Sequence, residues 1–168
     1  MRFLRHEERP IHDPRFHTSL TLNGQDRSEG LQMEQVFSSI YASPFVRAMQ
    51  TIAPLARRWG VRIKVEPLLA EGQHHELFEG ESAYTWTAAE YAQFADVIDT
   101  TYEPKGSALR NVYPESDEDI SARVERFLSF APRDALVCTH ECIIRTACKL
   151  RGAEGYRTVA MGKFIDLK

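Results

Sequence analysis

Apolar positions along the chain switch between two periods. Short β-type runs at residues 1–4, 36–42, 61–65, 135–139 and 164–167 are separated by stretches with helical spacing. The clearest helix follows Ser43-Pro44, with serine suited to the N-cap and proline to the first helical position. Phe45, Ala48, Met49, Ile52, Leu55, Ala56 and Trp59 then share one face, and Gly60 closes the helix. A second helix follows Ser116-Asp117-Glu118-Asp119, which has capping-box form. Ile120, Val124, Phe127 and Leu128 form its apolar face, and Pro132 comes after it. Further helices are predicted at about residues 25–35, after Asn23-Gly24, and at 142–150, stopped by Gly152. Residues 82–98, carrying Tyr84, Trp86, Tyr91 and Phe94, read as another helix, broken off by Glu103-Pro104-Lys105-Gly106. Strands alternating with helices predict an α/β protein: a three-layer α/β/α sandwich around a mostly parallel sheet. Residues 1–168 read as a single domain with an irregular insertion at about 72–113.

A length of 168 residues is enough for one domain with a sizeable core. With 43% hydrophobic and 27% charged residues, the composition is that of a soluble globular protein. A net charge of −3 excludes a generic nucleic-acid binder, which needs a basic stripe, but leaves room for a local positive pocket. No apolar run approaches the roughly 20 residues that span a bilayer, so no membrane partner is expected. Cys138, Cys142 and Cys148 are odd in number and follow no signal peptide, which predicts reduced thiols in a cytoplasmic protein. Cys138 and Cys142 lack the second pair of a structural zinc site and read as buried packing. His74-His75 has no spaced carboxylate or cysteine set around it and reads as solvated. No metal and no cofactor is expected, and the oligomeric state is open.

The chemistry gathers at two strand ends. Arg5-His6 closes the first run and His140 closes the run at 135–139. Ligands in open α/β sheets collect outside the carboxyl ends of strands. A neutral imidazole is a competent nucleophile toward phosphorus, and arginine forks match phosphate oxygens two at a time. The phosphoryl transition state spreads charge over three equatorial oxygens, so positive charge and positioning do most of the catalysis. Arg47 falls in the first turn of the helix after Ser43-Pro44, where the helix N-terminus itself favours anions.

Several segments recur in a fixed order: Arg5-His6-Glu7-Glu8-Arg9-Pro10, Ser19-Leu20-Thr21-Leu22-Asn23-Gly24, and Ile40-Tyr41-Ala42-Ser43-Pro44-Phe45-Val46-Arg47-Ala48-Met49-Gln50-Thr51. Leu68-Leu69-Ala70-Glu71 follows, with Phe78-Glu79-Gly80, then Glu115-Ser116, and finally Val137-Cys138-Thr139-His140-Glu141-Cys142-Ile143-Ile144-Arg145. The series resembles the histidine phosphatase superfamily, or phosphoglycerate mutase-like fold, whose pattern runs RHG, LTxxG, SPxxRAxQTA, LxE and SHGGxIR. The resemblance covers nearly the whole chain, and SPxxRAxQT is its most specific piece.

The resemblance implies a phosphatase-branch phosphoester hydrolase, metal-independent, acting through a phosphohistidine on His6. Its substrate would be a small phosphorylated compound, with a phosphoprotein as the other option. Arg5 and Arg47 would bind the phosphoryl group, His140 would donate to a phosphate oxygen, and Glu71 would be the general acid. His12 occupies a loop position where mutase-like members carry a polar phosphate contact. Arg9 matches the second arginine of the acid-phosphatase branch. That branch carries its acid directly after the second histidine, which makes Glu141 the alternative general acid; the short middle segment favours Glu71. Arg145 is expected to hold the last helix, and the aromatics of residues 84–94 to form the core of the insertion. Three family glycines are replaced, by Glu7, Glu141 and Cys142. Glu7 is expected to face outward, since strand-end side chains alternate. The lost glycines keep a second class open, a weak or inactive pseudophosphatase that binds a phospho-ligand or protein. A mutase-type phosphotransferase is the third option.

Overall fold

The computed structural model describes residues 1–74, 78, 84–107, 113–153 and 158–167. Strands β1 (Arg2–Arg5), β2 (Ile40–Ala42), β3 (Ile63–Val65), β4 (Leu136–Thr139) and β5 (Phe164–Asp166) form one sheet in the order β3-β2-β4-β1-β5. The first four run parallel, and β5 closes the edge antiparallel to β1. Helices α1 (Leu22–Glu29), α2 (Val46–Trp59), α3 (Ala88–Phe94), α4 (Asp117–Phe130) and α5 (Glu141–Leu150) cover its faces.

The pleat sorts the strand residues. Leu4, Ile40, Ala42, Leu136 and Cys138 point to the face covered by α2 and by Phe94 of α3. Phe3, Tyr41 and Val137 point to the opposite face, against Val124 and Phe127 of α4 and Ile143, Ile144 and Ala147 of α5. Each such fully buried side chain stabilises the fold by about 1.5–3 kcal/mol relative to exposure. The expected three-layer α/β/α sandwich around a mostly parallel sheet is the observed architecture.

Three helix boundaries differ from expectation. α1 starts at Leu22 and stops at Glu29, because Thr21 caps it by accepting the Gly24 N–H at 3.0 Å. Gly24 lies inside this helix; a Cβ there would sit 2.3 Å from the Glu8 carbonyl oxygen, so glycine permits a close backbone approach. α2 begins at Val46 with Phe45 as N-cap, while the Ser43 hydroxyl is engaged elsewhere. Among the described residues of the 72–113 segment, α-helix occupies Ala88–Phe94, started by a reciprocal Thr87–Glu90 capping box. Ser82, where that helix was expected to begin, lies outside the described residues, as do His75, Glu79 and Gly80.

A buried carboxylate fastens the route from β3 into this segment. Glu66 accepts the Tyr102 hydroxyl at 2.6 Å and the N–H groups of Leu68, Lys105 and Gly106 at 2.8–3.1 Å. It thereby pins the 3-10 turn at Pro67–Leu69, which leads directly to Glu71.

Candidate active site

Register brings the two histidines together. Arg5 pairs with Thr139 across the parallel β1–β4 ladder, and the His6 N–H donates to the Thr139 carbonyl at 3.0 Å. His6 and His140 therefore leave neighbouring strands at the same level, with ring centroids 5.2 Å apart and planes inclined at 60°. After β1 the chain turns toward the α1–α2 side; after β4 it turns into α5 on the other face. The crevice at such a switch is where ligands of open α/β sheets bind.

His6 is buried, and its Nδ1 lies 2.7 Å from the Glu7 carbonyl. A carbonyl only accepts, so Nδ1 carries the ring proton and Nε2 keeps its lone pair. Burial, then the charge of Arg47, hold His6 well below the ordinary histidine range, so the ring is neutral at pH 7. Arg47 Nε points at that lone pair from 3.3 Å.

The α2 motif builds this arrangement residue by residue. Arg47 is fully buried; its Nη1 donates to the carbonyls of Pro14 and Arg15, and its guanidinium lies 4.6 Å from the centroid of the Phe45 ring. One helical turn later, Thr51 donates to the Arg47 carbonyl at 2.7 Å and accepts the Glu7 N–H at 2.9 Å, fixing the backbone beyond His6. Gln50 accepts the Leu20 N–H at 2.8 Å and ties down the entry loop. Ser43 Oγ accepts the Phe45 N–H and lies 2.8 Å from His140 Nε2. Glu71 Oε2 lies 3.3 Å from His140 Nδ1, and a carboxylate only accepts, so Nδ1 carries the ring proton and the Ser43 hydroxyl donates to Nε2.

Glu71 sits among these groups. Its Oε2 is 3.3 Å from His140 Nδ1 and 3.5 Å from Arg47 Nη2; its Oε1 is 2.8 Å from Cys142 Sγ. Burial pushes the carboxyl up, but His140, Arg47 and the thiol outweigh it and hold Glu71 well below the usual carboxylate range. Burial takes His140 down to about 4, partly offset by Glu71. The Glu71 backbone is held from α4: buried Arg123 donates to the carbonyls of Leu68 and Glu71 and makes a bidentate pair with Glu115 at 2.7 and 3.0 Å. Sequence reasoning placed Glu115 in a motif but missed Arg123, which shares the inward face of α4 with Val124 and Phe127 and so reads as an interruption of the apolar stripe.

The remaining candidates lie at the margin or away from it. Arg9 donates to the carbonyls of Pro10 and Ile11; burial, with Arg5 nearby, lowers it while Glu71 raises it. Arg5 Nη1 meets the Val159 carbonyl at 2.5 Å and Glu141 Oε2 at 2.7 Å, so Glu141 faces Arg5 rather than His6. Glu7 does not face outward. It is buried, pairs with Arg27 at 3.2 Å and lies against Gly162, where a Cβ would be 1.8 Å from its Oε1. The reason is that β1 ends at Arg5, so strand alternation no longer applies at Glu7, whose N–H is held by Thr51 of α2 and whose carboxylate is held by Arg27 of α1. His12 is exposed, and among the described residues no hydrogen bond or ion pair joins it to the cluster.

His6, Glu71 and His140 each offer a ligand atom within 4.8 Å of the others, a donor set chemically suited to a transition metal. Arg47 against His6 Nε2, with Arg9 close by, opposes a cation there. The same charges suit an anion: among the described residues, buried Arg5 Nε and Arg9 Nε have no hydrogen-bond partner, and His140 Nδ1 has only its 3.3 Å contact with Glu71.

The sequence pattern of the histidine phosphatase superfamily (branch 1) matches residues 17–161. The chain belongs to that superfamily. The match takes in Arg47, Glu71 and His140; Arg5 and His6 precede it and are brought in by β1. Among solved structures, an α-ribazole phosphatase from Shigella flexneri superposes with a TM-score of 0.64 at 18% identity, over 98% of this chain and 88% of its own. A mycobacterial glucosyl-3-phosphoglycerate phosphatase, in complex with inorganic phosphate, gives 0.64 at 19% identity over 98% and 86%. The ecdysone phosphate phosphatase of Bombix mori, in complex with tungstate, gives 0.62 at 16% identity over 97% and 86%. These likenesses establish the histidine phosphatase fold. Among curated protein sequences none matches the chain. No helix among the described residues is long and apolar enough to cross a membrane.

Proposed function

We propose that this histidine phosphatase superfamily member is a phosphomonoesterase that works through phospho-His6 and needs no metal. The observation that carries the reading is a neutral imidazole whose unprotonated Nε2 meets a buried arginine at 3.3 Å, beside two guanidinium nitrogens with no hydrogen-bond partner among the described residues. Nε2 attacks phosphorus in line as the ester P–O bond breaks, while Arg47, His140 Nδ1–H and the guanidinium groups of Arg5 and Arg9 receive the phosphoryl oxygens. Tungstate and phosphate in the structural relatives are tetrahedral oxyanions of the kind this donor set matches.

Glu71 supplies the proton to the leaving oxygen. In the free protein it is a carboxylate, held down by His140 and Arg47. A phosphoryl dianion takes over those two partners, releases that hold and raises the carboxyl toward protonation. Water then attacks phospho-His6, Glu71 takes its proton, and the P–N bond breaks to give phosphate and free His6. Glu141, bound to Arg5, is the less suited acid. The three unpaired cysteines suit a reducing cytoplasm.

The test is hydrolysis of an aryl phosphate with EDTA present, together with acid-labile, base-stable labelling of His6 by a phosphoester. Turnover and labelling in wild type, both lost in His6→Ala, support the proposal. Oxyanion binding without turnover across a broad phosphoester panel would instead make the protein a pseudophosphatase.

A further inference from the structure

Cys142 stands where the family carries a glycine, on the second residue of α5. Its Sγ lies 2.8 Å from Glu71 Oε1 and accepts the Gly72 N–H at 3.2 Å. The Gly72 N–H also reaches Glu71 Oε1 at 3.2 Å. The site has no room to spare there, since a Cβ on Gly72 would be 2.9 Å from Ile120 Cδ1 and 3.2 Å from the sulfur. The two carboxyl oxygens of Glu71 thus have different neighbours. Oε1 faces an S–H and an N–H; Oε2 faces His140 and Arg47, the groups placed around the phosphoryl site.

We propose that Cys142 is a positioning residue for Glu71, whose thiol occupies Oε1 so that the catalytic proton resides on Oε2. The proposal rests on Glu71 being the general acid, as argued above. Both oxygens have two donors in the free protein, but a phosphoryl dianion draws His140 and Arg47 away from Oε2, while Oε1 keeps its S–H and N–H, so protonation is directed to Oε2. The thiol is a fit donor for this task. Burial and the adjacent carboxylate hold it well above the ordinary cysteine range, so it stays S–H at neutral pH and is no nucleophile.

Cys142→Ser keeps a hydroxyl donor, whereas Cys142→Ala and Cys142→Gly remove it. Removal should lower kcat/KM, which reports the steps up to leaving-group departure, about tenfold on an alkyl phosphate, whose leaving group needs a proton, and hardly at all on a nitrophenyl phosphate, whose leaving group does not. Cys142→Ser should stay near wild type on both. An equal loss on both esters, or a serine variant no better than alanine, overturns the proposal. An NMR titration of the Glu71 carboxyl carbon reads the same contact without turnover. It should move to higher pH in Cys142→Ala and Cys142→Gly, and an unchanged titration overturns the proposal. The reciprocal measurement leaves residue 142 intact: Glu71→Gln should speed alkylation of Cys142, and an unchanged rate counts against the contact. If wild type hydrolyses neither ester, the phosphatase reading fails, while the titration still decides whether the thiol holds the carboxyl.

Discussion

Arg47 and Arg123 are both buried, on helices that cover opposite faces of the sheet, yet they live in different electrostatic conditions. Arg123 has a bidentate carboxylate partner in Glu115 at 2.7 and 3.0 Å and spends its other donors on two carbonyls. Burial opposes its charge, but Glu115 outweighs that and raises it above the usual arginine range. Arg47 has two carbonyls, a histidine lone pair, and a carboxylate no nearer than 3.5 Å. Burial takes it down to about 10, incompletely offset by Glu71, and Arg9 adds repulsion. A buried cation with full compensation is a fastening; one left short of negative charge is a place for an anion. The same residue type thus separates scaffold from site by its partners alone.

The comparison is broken most directly through Arg123. Arg123→Met leaves the Glu115 carboxylate buried without its partner, and the unfolding free energy should drop by about 3–5 kcal/mol in urea titrations. A loss under about 1 kcal/mol would remove Arg123 from the scaffold. Arg47→Met should do the reverse: turnover falls about 10²–10³-fold, or about 2.7–4 kcal/mol of barrier. Its stability should stay within about 1 kcal/mol of wild type, since the cation removed was under-compensated. Arg47→Lys should not restore turnover, because a single ammonium cannot reproduce the fork at His6 and Glu71.

Lowering the pH sharpens the contrast by charging the site. His6 and His140 are held below the ordinary histidine value of about 6.5 in the folded protein, so between that value and their folded values the unfolded chain binds more protons. Stability is then complete above about pH 6.5 and falls as pH drops toward 4. The two histidines together should remove about 2 kcal/mol between pH 6 and pH 5, and His140→Gln should remove about half of that slope. The smallest effect belongs to the margin. The Arg5–Glu141 pair is partly exposed, so Glu141→Gln should free Arg5 and tighten inorganic phosphate by about fivefold, near 1 kcal/mol, read as a competitive inhibition constant. Weaker phosphate inhibition in that variant would show that Glu141 aids the anion rather than competing with it.

Much of this was legible along the chain. Strands and helices announced themselves through period 2 and period 3.6, because each buries one face against the sheet or a helix. The Ser116 cap, the Gly60 stop and the ordered motif pieces are local signals and survived folding. The start of α1 was misplaced because Asn23-Gly24 looks like a turn, while Thr21 caps the helix and Gly24 lies inside it, against the Glu8 carbonyl. Ser43 read as a helix cap because local spacing favours that role; its partner, His140, is 97 residues away. Cys142 read as apolar packing, since nothing near it in sequence shows that Glu71 lies across the crevice.

By itself, then, the sequence determined the class of fold, the order of its elements and the residue types able to meet a phosphoryl group, since these follow from periodicity and from short patterns. Only the tertiary structure decided which charges are matched. It sent Glu7 to Arg27, gave Glu141 to Arg5, paired Arg123 with Glu115, and left Arg47 beside His6 with too little negative charge around it. The physical reason is that an ion pair depends on distances of a few ångströms between groups here 8 to 136 residues apart, and on the burial around them, neither of which a short sequence pattern records.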